Sequence, residues 1–106
     1  METVEIRQTE DFHRWLEGLA DRQARVRVLL RVRRPSLGNL GDVASVGEGV
    51  LELRIHCGPG YRVYFRRQHR AMVVLLTGGD KRNQDADIRR AKDLARGLEG
   101  DQTWEE

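Results

Sequence analysis

The chain has 106 residues, of which 39% are hydrophobic and 34% charged; this length supports one modest core and excludes two, and the apolar content argues against disorder. Its single cysteine, Cys57, excludes an intramolecular disulfide and a cysteine zinc cluster, and it fits a reducing compartment. The longest apolar run, Ala71 to Leu76, is far short of a membrane span, and the first residues lack the pattern of a secretory signal, so the expectation is a cytoplasmic protein with no membrane role.

The net charge of +2 hides a segregation: residues 21–40 carry six Arg against one Asp and residues 41–70 five Arg against three acids, while both ends of the chain are net acidic. A basic middle suits an anionic partner. Of 19 basic residues only Lys81 and Lys92 are lysines. The planar guanidinium favours bidentate phosphate contact and base stacking, but a GC-rich genome produces the same bias, so the placement of the arginines carries more weight than their number.

In chain order, Thr3 to Arg7 reads as a short strand with Val4 and Ile6 on one side. Thr9 is a candidate N-cap, and Phe12, Trp15, Leu16 and Leu19 follow the spacing of one helical face, predicting a helix from about Glu10 to Leu19. In Asp21 to Arg34, Val26, Val28, Leu30 and Val32 alternate as in a strand. The helical reading is preferred, with Asp21 as cap, an apolar face of Ala24, Val28, Leu29 and Val32, and Pro35 as terminator. After a loop from Pro35 to Gly41 the period changes to two. Strands are predicted at Asp42 to Val46, Val50 to His56, Tyr61 to Arg67 and Ala71 to Thr77, joined by turns at Gly47-Glu48-Gly49, Cys57-Gly58-Pro59-Gly60 and Gln68-His69-Arg70. Gly78-Gly79 is expected to break the last strand. Ile88, Ala91, Leu94, Ala95 and Leu98 mark a helix from about Asn83 to Arg96, and the polar residues from Gly100 on form a tail. The sum is one α+β domain over residues 1–99: a helical hairpin covering one face of a mainly antiparallel sheet, plus a C-terminal helix.

With Leu51, Leu53 and Ile55 turned to the core, alternation sends Glu52, Arg54 and His56 to the other face, and likewise Arg62, Tyr64 and Arg66 on the next strand. Cross-strand neighbours stand about 5 Å apart, so these six residues are expected to form one compact patch able to bind and polarise phosphate. The plain alternative is a solvated sheet face on which Glu52 pairs with Arg62 or Arg54. Lys81 and Arg82 follow the last strand at a helix start, where first-turn N–H groups favour a phosphate. His56 is a candidate for proton transfer or an exposed turn residue. Residue spacing suggests no metal site, and Cys57 has no arrangement marking a nucleophile.

Through ARVRVLLRVRR, GNLGDVASVGEGVLELRI, GPGYRVYF and LLTGGDKRNQDADI, the chain resembles the addiction-module killer proteins, the HigB/RelE-like branch of type II toxins in the RelE/ParE superfamily. The resemblance covers about Phe12 to Leu98. It implies the RelE-like fold and a metal-independent endoribonuclease, an mRNA interferase that cuts mRNA on the ribosome, needs no cofactor and arrests translation. It also implies as partner a cognate helix-turn-helix-type antitoxin, with which the toxin could assemble on operator DNA. By the same resemblance Arg54, Arg62 and Lys81 match basic active-face positions. Glu52 stands where RelE is basic and some relatives use a carboxylate base. Within that chemistry Arg62 and Arg54 would hold the phosphate, Glu52 or Lys81 would move protons, and Tyr64, Arg66, Arg82 and His56 would contact RNA. The sequence departs from several relatives in having neither Tyr nor His between Gln84 and Arg96. That departure leaves open a gyrase inhibitor of the ParE kind, or an inactive remnant acting as antitoxin partner and corepressor.

Overall fold

Residues 5–33, 42–69 and 72–100 are described in the computed structural model. The expected loop at Pro35 to Gly41 lies outside them, as does the expected polar tail except for Gly100, which closes the last helix. The chain runs β1 (Glu5–Gln8), α1 (Glu10–Glu17), α2 (Arg22–Val32), β2 (Val43–Gly47), β3 (Val50–Ile55), β4 (Tyr61–His69), β5 (Met72–Asp80), a 3₁₀ turn (Lys81–Asn83) and α3 (Gln84–Gly100). Its five-stranded sheet has the order β1-β5-β4-β3-β2. The last four strands form the expected antiparallel meander, and β1 joins β5 in parallel.

Local chemistry accounts for the helix boundaries. The Thr9 hydroxyl accepts from the Phe12 N–H at 3.1 Å and donates to the Leu76 carbonyl at 2.5 Å, while the Thr9 N–H reaches the Leu75 carbonyl at 3.0 Å. One residue thus caps α1 and fastens it to β5. Asp21 caps α2 by accepting from the N–H groups of Gln23 and Ala24. Ala24, Val28 and Val32 are buried at helical spacing, so the Val–Arg alternation of this segment belongs to a helix whose Val26 and Leu30 remain exposed.

Two cores flank the sheet. On the hairpin side Phe12, Leu16, Val28 and Val32 pack against Leu53, Ile55, Val63, Phe65, Val73 and Leu75. On the other side α3 lays Ala91, Ala95 and Leu98 on Val50, Tyr64, Val74 and Leu76. This corrects the expectation of a basic face left open opposite the hairpin. Ala91 and Ala95 carry short side chains that let α3 approach the sheet closely, and the face is apolar where they sit.

A second correction concerns Gly78-Gly79, which does not end β5: Gly78 pairs with Val63 and Gly79 with Arg62, and the strand continues to Asp80. The pairing steps from Phe65↔Leu75 to Tyr64↔Thr77, leaving Leu76 as the extra residue of a bulge and changing the phase of the strand's last turn of pleat. A Cβ on Gly78 would then stand 2.3 Å from a Trp15 ring carbon, and one on Gly79 2.0 Å from an Asp87 carboxylate oxygen. The glycines admit side chains from α1 and α3 onto opposite faces of the strand. Gly78→Ala should therefore overpack the Trp15 contact, costing about 1–3 kcal/mol and lowering the melting temperature by roughly 4–8 °C per kcal/mol in a thermal unfolding scan. A melt matching the parent's would show that Trp15 is free to move aside.

Candidate active site

Where α3 begins, the covered face turns polar. Glu52, on the central part of β3, is 1% exposed. A carboxylate withdrawn this far from water must be surrounded by donors. Its Oε2 accepts from the Tyr64 hydroxyl at 3.1 Å and the Gln84 side-chain amide at 3.0 Å. Its Oε1 accepts from Arg54 Nε at 3.3 Å and lies 3.7 Å from Arg62 Nε. Glu52 and Tyr64 are directly paired across β3 and β4, as are Arg54 and Arg62 one pleat further on, so strand register alone brings these four together. Gln84 enters from the first residue of α3.

Burial deprives the Tyr64 phenolate of solvation, and Glu52 beside it adds repulsion, so the hydroxyl is held far above the ordinary phenol range. Tyr64 is a neutral donor locked onto Glu52. Being wholly buried, it presents no surface to RNA, which corrects its expected role. Glu52 is likewise placed as a fixed anchor for two arginines, its oxygens already occupied, and not as a freely accessible base.

The arginines differ in character. Arg54 is half-exposed, whereas the Arg62 side chain retains only 12% exposure. Arg62 Nε and Nη1 are buried without a hydrogen-bond partner among the described residues. Two guanidiniums sharing one carboxylate leave a net positive charge in a site of reduced dielectric.

The other expected residues scatter around this centre. Lys81 is exposed beside the β3–β4 turn, its Cε 3.2 Å from where a Cβ on Gly60 would stand. Arg82 folds back on Asp80 at 2.9 Å, holding that carboxyl below its usual range. Asp80 also accepts from the Arg82 N–H at 2.9 Å, so this first-turn donor, expected to meet a phosphate, is already taken. His56 lies at the strand end with Nε2 2.9 Å from Asp42 Oδ1, and this contact keeps the Asp42 carboxyl low, with Arg31 and Arg54 contributing. Arg66 is not part of the patch: it pairs with Val50 at the far end of β3 and donates to the Ala95 carbonyl of α3 at 3.2 Å. The expected six-residue patch is therefore a four-residue cluster with His56 at its rim and Arg66 elsewhere.

Two residues of this site were absent from the sequence-based set. Gln84 completes the shell of Glu52, and Asp87 rests on Gly79. A signal existed for both, since Gln84 precedes Ile88 by four residues and Asp87 precedes Ala91 by four, placing them on the sheet-facing side of α3. A cleft of about 480 Å³ between β1 and α2, lined by Ile6, Gln8, Leu29, Val32 and Arg33 among others, is on the hairpin side and takes no part in this cluster.

The arrangement is a RelE-like fold with a cationic cluster where β3, β4 and α3 converge. Among solved structures, the RelBE2 toxin–antitoxin complex of Mycobacterium tuberculosis contains a chain that superposes with a TM-score of 0.60 at 19% identity, over 74% of this chain and 99% of that one. Among curated proteins, an uncharacterized protein of Haemophilus influenzae is 46% identical over 96 residues, spanning 91% of this chain and 97% of that protein. The chain belongs to the same family as this Haemophilus protein. No family model matches the sequence. No helix among the described residues is long and apolar enough to cross a membrane.

Replacing Tyr64 by Phe removes one donor from Glu52 while preserving the ring. The cost expected in denaturant unfolding is about 1–3 kcal/mol, against less than that for a surface hydroxyl. A parental midpoint would mean that Glu52 draws its compensation from elsewhere.

Proposed function

We propose that this protein is the toxin of a type II toxin–antitoxin system and acts as a metal-independent endoribonuclease on mRNA bound to the ribosome. The RelE-like fold and the likeness to a chain of the RelBE2 complex support the toxin reading. The observation that carries the nuclease reading is Arg62, a largely buried guanidinium oriented by Glu52 with Nε and Nη1 unsatisfied. Unsatisfied guanidinium donors call for a further acceptor, and an anion is a stronger one than water.

Cleavage requires the ribose 2′-hydroxyl to lose a proton, the phosphorus to pass through a pentavalent state, and the 5′ oxygen to gain a proton. In this reading Arg62 and Arg54 bind the non-bridging oxygens, where added charge develops, from positions fixed before substrate arrives. Lys81 lies beyond the β3–β4 turn, where it can contact the adjoining backbone phosphate, and His56 and Arg82 extend the positive rim. Glu52, Tyr64 and Gln84 form the frame that sets the arginine geometry. The partner that this reading requires is a protein antitoxin, as the RelBE2 neighbour is itself a toxin–antitoxin complex.

Inducing the parent and an Arg62→Ala variant in a bacterial host, with mapping of mRNA 5′ ends on translating ribosomes, tests the reading. The parent should arrest growth and create new ends within codons, and the variant should cut about 10²–10³-fold more slowly. Growth arrest without new ends would overturn the nuclease reading, and equal cutting by the variant would overturn this site.

A further inference from the structure

Resting on that nuclease reading, we infer that the Asp87 carboxylate is the general base of this face, the group that takes the proton from the attacking ribose 2′-hydroxyl. Asp87 lies in the first turn of α3, and its Oδ2 stands 2.0 Å from the point where a side chain on Gly79 would begin. Gly79 is paired with Arg62, and directly paired residues of antiparallel strands point to the same side of the sheet. Asp87 thus fills the vacant position beside the stem of Arg62, about 5 Å across the ladder. The guanidinium itself turns toward Glu52 on the neighbouring strand.

What distinguishes Asp87 is the lack of a partner. Among the described residues, four other carboxylate residues are at least partly covered: Asp11, Asp42, Glu52 and Asp80. They are engaged by Arg90, by His56, by Arg54 with Arg62, and by Arg82 respectively. Asp87, also half-buried, receives no hydrogen bond and forms no ion pair in this set. Partial burial and the nearby Asp80 charge raise its proton affinity, and a stronger base is the better proton acceptor. A half-buried carboxylate without compensation is a cost to the fold, and such groups concentrate where chemistry needs them. Glu52 cannot take this part, because its oxygens already accept from Tyr64, Gln84 and Arg54 and face the Arg62 guanidinium.

In the step assigned to it, the 2′-oxygen forms a bond to phosphorus as its proton passes to Asp87. The bond from phosphorus to the 5′-oxygen breaks, and that oxygen gains a proton from solvent water. The products are a 2′,3′-cyclic phosphate and a 5′-hydroxyl, with Asp87 later returning its proton to solvent. The titratable and charged groups on the elements packed around it are Asp80 of β5, Arg62 and Tyr64 of β4, and Glu52 and Arg54 of β3. On its own helix they are Asp85 and Arg90, the latter held by Asp11.

The test compares parent and Asp87→Asn in single-turnover cleavage of ribosome-bound mRNA over a range of pH, with the melting temperature of each. The parent's rate should fall toward low pH as the base is protonated. Asp87→Asn should be about 10²–10⁴-fold slower, should lack that acid limb, and should melt no lower than the parent. The last expectation follows from the sign of the shift: a carboxyl whose folded-state proton affinity is raised contributes stability only at low pH and loses it as pH rises through its folded value, so a neutral amide relieves a cost at neutral pH. Cleavage by Asp87→Asn at the parental rate with the acid limb intact would overturn the assignment and leave the nuclease reading standing. A slower variant that also melts lower, with the limb retained, would make Asp87 structural. A parent that cuts no mRNA would overturn both.

Discussion

Burying the Glu52 carboxylate between the sheet and a helix commits the surrounding structure. In a medium of low dielectric, a charge of this kind is tolerated only when donors converge on it, and removing one partner of such a pair costs about 3–5 kcal/mol. Tyr64 must therefore stay buried and neutral, Gln84 must arrive on α3, and Arg54 and Arg62 must lean inward from opposite strands. The position of α3, the state of the phenol and the aim of the two guanidiniums all follow from one carboxylate. Two kinds of constraint bring these groups together, strand register for Tyr64, Arg54 and Arg62 and helix entry for Gln84.

The same face is divided along its length. Where Ala91, Ala95 and Leu98 meet Val50, Val74 and Leu76, the contact is apolar and close. Arg66 strengthens that end by reaching a carbonyl of α3. Where α3 starts, the contact is made by Gln84 and Asp87, and the interface changes from apolar to polar over one or two helical turns. Function and stability thus occupy opposite ends of a single helix–sheet contact. The hairpin side, built from Phe12, Leu16, Val28 and Val32 against five strands' worth of apolar residues, carries none of this chemistry.

Much of this was legible in the sequence because period and caps are local properties. Thr9 and Asp21 announced the two hairpin helices, and the alternation from Val50 to Phe65 placed Glu52, Arg54, Arg62 and Tyr64 on one side of the sheet. What was not legible depends on contacts between distant segments. The sequence does not state over which face α3 lies, so the polar face was read as open and Tyr64 and Arg66 as RNA contacts. The bulge at Leu76 changes the phase of β5 without any local mark, and two glycines that receive Trp15 and Asp87 look the same in sequence as two glycines that end a strand. Arg66 was grouped with Arg62 by parity alone, although four residues along a strand separate them by roughly 13 Å.

The parallel pairing of β1 with β5 has a further consequence for how the molecule comes into being. Residues 5–8 find their partners only at residues 72–75, and the Thr9 hydroxyl bonds a carbonyl 67 positions later. During synthesis from the N-terminus, the apolar side of α1 has no strand β5 to cover it until most of the chain exists, and contacts of such sequence separation form slowly because loop closure precedes any gain. Gln84 and Asp87 are made later still. A nascent chain therefore holds Glu52 and its arginines without the helix that completes their surroundings, and the cationic cluster acquires its final geometry only after α3 has been made.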